Sequence, residues 1–185
     1  MNTYLIIGIV CLVFIFCIIG IYNGIIILKN QCKNAYSQIE VQLKRRHDLI
    51  PNLIETVKGY MQYEKQTLEN VIQARNMAVQ ISPDAKIQSE HESILSGALK
   101  SLFALSENYP DLKANQNFLS LQEELTSSEN KIAFARQFYN DSVMQYNNKK
   151  EVFPNNIVAC LFKFENFSMF EIQDAKEREN VKVSF

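Results

Sequence analysis

The chain has 185 residues, with 19 Lys and Arg against 20 Asp and Glu. The near balance excludes the strong positive field that nucleic-acid binding relies on, and the length holds one domain beside a hydrophobic leader. Five Gly and four Pro are too few for a loop-rich β fold, and only short segments alternate at period two, so the chain reads as all-α.

Residues 4–28, YLIIGIVCLVFIFCIIGIYNGIIIL, carry no charge. As a helix this run reaches ~37 Å, enough to cross a ~30 Å hydrocarbon core with some tilt. A cleaved signal would want a basic start and small residues at the cut, and the residues before Cys11 and Cys17 are too bulky for a lipoprotein site. Residues 1–28 are therefore expected to be a retained transmembrane anchor. Lys29 and Lys33 follow it directly and no Lys or Arg precedes it, so the positive-inside rule expects the N-terminus outside and the bulk of the chain in the cytoplasm. Cys32 and Cys160 stand apart without C-x-x-C spacing, which gives neither a zinc site nor a disulfide framework.

The next apolar positions, Cys32, Ala35, Tyr36, Ile39, Leu43, Arg46 and Ile50, advance by three and four, so the anchor is expected to run into a cytoplasmic helix. Pro51 either kinks one long helix or sits in the first turn of a second one capped by Asp48. The cluster Lys44, Arg45, Arg46 and Asp48 favours a break near residues 46–48. A second helix is expected to run to about Ile81, where Ser82-Pro83-Asp84 stops it. A third spans about 84–108, with Ile87, His91, Ile94, Leu95, Ala98, Leu102 and Leu105 inward. A fourth spans about 111–150, with Phe118, Leu121, Leu125, Glu129, Ile132, Arg136, Tyr139, Val143 and Tyr146 inward. Residues 29–150 thus read as an up-and-down four-helix bundle. Residues 151–170 form a Phe-rich segment packing on that bundle, and 171–185 a charged tail expected to fray.

Four charges fall on apolar stripes. Glu64, Arg75, Glu129 and Arg136 are expected to pair, acid to base, as a buried cluster that fixes helix register, the alternative being a polar cavity that holds a ligand. The block Lys44-Arg45-Arg46 reads as a solvated turn or a docking patch for a protein partner. Among the phenylalanines, either Phe153, Phe162, Phe164, Phe167 and Phe170 all complete the core, or Phe153 and Phe162 fold onto the bundle and leave Phe167 and Phe170 exposed as contacts. His47 and His91 lack a second ligand at metal spacing, and no phosphate loop, nucleophile elbow or redox pair is present. Catalysis, metal and cofactor are therefore not expected.

The stretch VQLKRRHDLIPNLIETVKGY, with Tyr22-Asn23, Ala74-Arg75, Glu124-Leu125, Glu129-Asn130, Arg136, Tyr139-Asn140-Asp141, Tyr146-Asn147 and Phe153-Pro154-Asn155, resembles the LemA family. That resemblance implies a single-pass protein of the bacterial inner membrane with a helical cytoplasmic part and no established biochemical activity. Tyr36, Glu40 and Tyr63 stand where that family usually has Trp, Asp and His, and Lys163 where it has a small residue. The expected function is a membrane-anchored helical scaffold that recruits a protein partner. The resemblance suggests envelope maintenance or membrane-protein quality control as its setting, and the number of copies in an assembly stays open. The alternative is a ligand-binding or enzymatic bundle built on the Glu/Arg cluster.

Overall fold

The structure, a computed structural model, describes residues 2–61, 63–80 and 85–170. The regular secondary structure of these residues is helical throughout: α1 (Asn2–Lys58), α2 (Lys65–Val79), α3 (Ala85–Ser106), α4 (Pro110–Lys113), α5 (Gln116–Glu151) and α6 (Asn155–Leu161). The chain divides into two compact units. One comprises Met1–Gln38 with Ala135–Phe167, and the other Ile39–Phe134 with the residues from Ser168 onward.

The helix α1 runs 57 residues without interruption, about 86 Å end to end. The expected break near residues 46–48 does not occur, and Pro51 lies inside the helix. A prolyl residue removes the hydrogen bond to the carbonyl four residues back, here that of His47. The guanidinium of Arg75 supplies the missing donor, Nε to His47 O at 2.9 Å. The helix stops instead at Gly59, where the amides of Tyr60 and Met61 both bond to the Val57 carbonyl. Apolar steps through Val57, Met61 and Leu68 run straight past this stop and conceal it in the sequence. The second helix is therefore shorter than expected, and Glu64 is its N-cap residue rather than a member of its inward face.

In the unit built around Ile39–Phe134, one core gathers Ile50, Leu53, Ile54 and Val57 of α1, Leu68, Val71, Ala74 and Ala78 of α2, Leu95, Leu99 and Leu102 of α3, Leu112 of α4, and Phe118 and Leu125 of α5. Two connectors are tied together: Tyr109 Oη donates to Glu64 Oε1 at 3.1 Å, and Asn115 Nδ2 donates to Tyr60 Oη at 3.0 Å. Asn115 also begins α5, its Oδ1 accepting from the amides of Asn117 and Phe118, an N-cap that satisfies two orphan donors. The expected fourth helix from residue 111 is thus a short α4 followed by α5. Along α3, Leu95 and Leu102 are buried as expected, whereas Ile87 and Ile94 face solvent and Gln88, Ser89 and Glu92 are buried in the first half of the helix. The turn at 82–84 and the tail at 171–185 lie outside the described residues.

In the other unit, Ile25, Cys32 and Ala35 of α1 are buried, as are Tyr139, Val143 and Tyr146 of α5. Tyr36 meets Tyr139 edge-on at 5.7 Å. Burial pushes the Cys32 thiol above its ordinary range, which keeps it in the unreactive protonated form. Beyond α5 the chain folds back through α6. Asn155 Nδ2 donates to Lys149 O, Tyr146 Oη to Glu165 O and Lys150 Nζ to Phe164 O. The helix α6 ends in a Schellman motif, with the Lys163 amide on Cys160 O and the Phe164 amide on Ala159 O. Lys163 takes the left-handed position at φ 53°.

The phenylalanines do not all complete the core, and the split exposure expected for them is inverted. Phe153 is 74% exposed and Phe162 also lies largely open, whereas Phe167 packs edge-on against Tyr146 at 5.2 Å and Phe170 is 6% exposed. Phe170 falls in core surroundings because the chain after α6 doubles back instead of continuing into solvent.

Candidate functional site

Arg46 and His47 are neighbours on α1 and both point inward. An arginine 3% exposed needs its charge matched and its donors filled, since an uncompensated buried ion is strongly destabilising. Three acceptors meet that need. Nη1 of Arg46 lies 3.2 Å from Glu92 Oε2 and 2.8 Å from Glu129 Oε2, and Nη2 donates to Ser96 Oγ at 2.9 Å. Glu92 is 1% exposed. Its other oxygen, Oε1, is 2.8 Å from His47 Nε2 and 3.3 Å from Gln88 Nε2.

The cluster also satisfies backbone groups. Gln88 Nε2 reaches Ala78 O at 3.2 Å, an orphan carbonyl in the last turn of α2. Arg75 of α2 donates to His47 O, the carbonyl that Pro51 frees. Side chains of α1, α2, α3 and α5 are thereby joined by one polar network inside an apolar core. Both carboxylate oxygens of Glu92 are occupied by protein donors, whereas Glu129, at the edge of the network, is 47% exposed.

The residues singled out from the sequence distribute as follows. Glu129 pairs with Arg46, Arg75 serves a backbone carbonyl and Glu64 binds the Tyr109 hydroxyl. Arg136 is half-buried in the other compact unit. Of the basic block, Lys44 and Arg45 face solvent, Arg45 lying 3.5 Å from Glu124 on the surface. Arg46 is no surface docking residue, because the α1 stripe carries it inward. A void of about 30 Å3 beside Arg45 and Glu124, lined also by Ser127, Ser128 and Lys131, has room for one water. Sequence reasoning missed Glu92 and Gln88. The available signal was their i, i+4 spacing followed by Leu95, Leu99 and Leu102, an inward register whose first two members are polar.

The sequence profile of the LemA family matches residues 35–185, and this stretch holds every member of the polar network. The chain belongs to the LemA family. It is 31% identical over 175 residues to Protein LemA of Metamycoplasma hominis, an alignment covering 92% of this chain and 77% of that relative. It is 21% identical over 179 residues to Magnetosome protein MamQ 2 of Paramagnetospirillum magneticum, covering 83% of this chain and 66% of the relative. Magnetosome protein MamQ of Magnetospirillum gryphiswaldense is 22% identical over the same length. None of these relatives is named for a catalysed reaction. The family resemblance read from the residues is thus borne out, and the network gives it a physical reading. Arg46, His47, Pro51 and Arg75 belong to motifs that carry the resemblance, and they interlock in space.

Proposed function

We propose that the chain is a membrane-tethered helical scaffold without catalysis, in which α1 crosses the bacterial inner membrane. The N-terminus lies outside and the bulk of the chain in the cytoplasm, as Lys29 and Lys33 just past the uncharged run favour. Segments of α1, α2, α3 and α5 act as an up-and-down four-helix bundle that presents a surface to a protein partner. Supporting the tether, the N-terminal part of α1 is long and apolar enough to span a bilayer, and its side chains from Tyr4 to Phe16 are exposed. The observation that carries the scaffold reading is the saturation of Glu92 by Arg46, His47 and Gln88. A binding or catalytic cluster would leave a carboxylate open toward a cavity.

Lys44 is an exposed cation two residues before Arg46, and we assign it to the partner-facing surface. A photo-crosslinking amino acid placed at Lys44 of the full chain in living cells tests the proposal. One discrete adduct at Lys44, absent when the probe stands at exposed Tyr63, is the expected outcome. Equal labelling at both positions, or none at Lys44, counts against it.

A further inference from the structure

The helix α6 has two unlike faces. Asn155, Val158 and Ala159 are buried beneath it. Ile157 and Leu161, four apart on the helix, form an outward ridge, and Val152, Phe153, Cys160 and Phe162 next to the helix or on it are exposed as well. Phe153 and Leu161 are 74% and 70% exposed. An apolar ridge this open, on a helix of only 7 residues, calls for a covering.

The position of α6 along α1 identifies the covering. Phe162 lies 4.8 Å from the ring of Tyr22, and Phe164 lies 5.6 Å from the same ring. Lys29 Nζ sits 5.7 Å from the Phe164 ring. At the end of α5, Cε of Lys149 is 3.8 Å from where a Cβ on Gly24 would stand. Tyr22 and Gly24 both lie within the uncharged run 4–28. That run exceeds a ~30 Å hydrocarbon core by ~7 Å, about five residues, which places its last residues, from about Gly24 onward, at the headgroup level and Tyr22 just beneath it. The chain at 149–164 is held against α1 at that same level, so its exposed ridge is continuous with the exposed side of the span.

The geometry points to α6 as a second membrane contact, a short interfacial helix whose ridge of Ile157 and Leu161, with exposed Phe153 just before the helix, dips into the bilayer surface beside α1. This inference rests on the reading that α1 spans the membrane. The flanking side chains fit an interfacial site: Lys149 and Lys163 are exposed beside the ridge, where their ammonium groups reach phosphate, and Tyr22 sits in the belt that aromatic residues favour. Two contacts would fix the rotation of the span and its depth in the bilayer.

The sequence contains no tryptophan, so one introduced indole reports one position. The full chain is reconstituted into phosphatidylcholine–phosphatidylglycerol vesicles as two variants, Val13→Trp within the span and Leu161→Trp on the ridge. Both sites are exposed in the protein, so packing is preserved, and unchanged thermal melting of each variant verifies it. The expected result is strong quenching of Val13→Trp by lipids brominated deep in the acyl chain. Leu161→Trp should be quenched by lipids brominated near the headgroup, with a blue-shifted emission and less quenching by iodide than free tryptophan shows. Lipid quenching at Val13→Trp with full iodide quenching at Leu161→Trp overturns the α6 contact and leaves the span intact. Resistance of Leu161→Trp to both quenchers also overturns it, and identifies a protein surface or a second copy as the covering. Absence of lipid quenching at Val13→Trp overturns the span reading and the α6 contact with it.

Discussion

Glu92 accepts from Arg46, His47 and Gln88 while 1% exposed, so its removal leaves the buried guanidinium with half-exposed Glu129 as its counter-ion and takes an acceptor from two further buried donors. Glu92→Ala should destabilise the protein by about 3–5 kcal/mol. Arg45→Ala, which breaks only the exposed pair with Glu124, should cost about 1 kcal/mol or less. Chemical unfolding of the full chain in detergent measures both, and equal losses would show that the buried network is not the stabilising one. Tyr139 gives a pH-dependent counterpart. Its hydroxyl is pushed up to about 12 from 10.0, first by burial, then by the nearby Cys32 and Tyr36. The unfolded chain gives up this proton before the folded protein does, so the contribution is fully present below pH 10.0 and is lost as pH rises toward about 12. Tyr139→Phe should shallow the loss of stability across that window and delete the last phenol to ionise in an ultraviolet titration. An unchanged titration would mean that Tyr139 is solvated.

Among the elements, α1 holds the most telling feature, a proline inside a helix whose freed carbonyl is claimed by an arginine of α2. A hydrogen bond with a charged donor contributes about 1.5–3 kcal/mol. Arg75→Ala should therefore be costly in the native sequence and markedly cheaper once Pro51→Ala restores the backbone donor. A double-mutant cycle measures that coupling, and additivity within about 0.5 kcal/mol would contradict it. Lys163 ends α6 with φ 53°, a conformation that a Cβ disfavours. Lys163→Gly should raise stability by about 1 kcal/mol, and a loss of that size would mean that the lysine side chain holds the turn. The inward stripes of α1 and α5 were legible in the sequence because Ile39, Leu43, Ile50, Ile132, Tyr139 and Tyr146 keep helical spacing over long distances. The register of the first half of α3 was not, because Gln88 and Glu92 occupy inward positions that polarity assigns to the surface. Pro51 and the three cations beside it imitate a helix boundary, and only Arg75, distant in sequence, shows why the helix continues. Phe153 and Phe167 were assigned opposite exposures because the reversal after α6 depends on Tyr146, Lys150 and backbone carbonyls, which leave no periodic trace.

In the whole molecule, one helix carries both an apolar run of 25 uncharged residues and the residues that enter the helical core. Family membership, the exposed N-terminal part of α1 and the saturated polar network all agree with a tethered protein that works through its surface. The proposed partner-facing and bilayer-facing roles both depend on the proposed tether. Extraction of native membranes with alkaline carbonate tests it most directly, because it strips peripheral proteins and leaves spanning helices in place. The account expects the full chain to remain in the membrane pellet, and its recovery in the soluble wash would contradict the central claim.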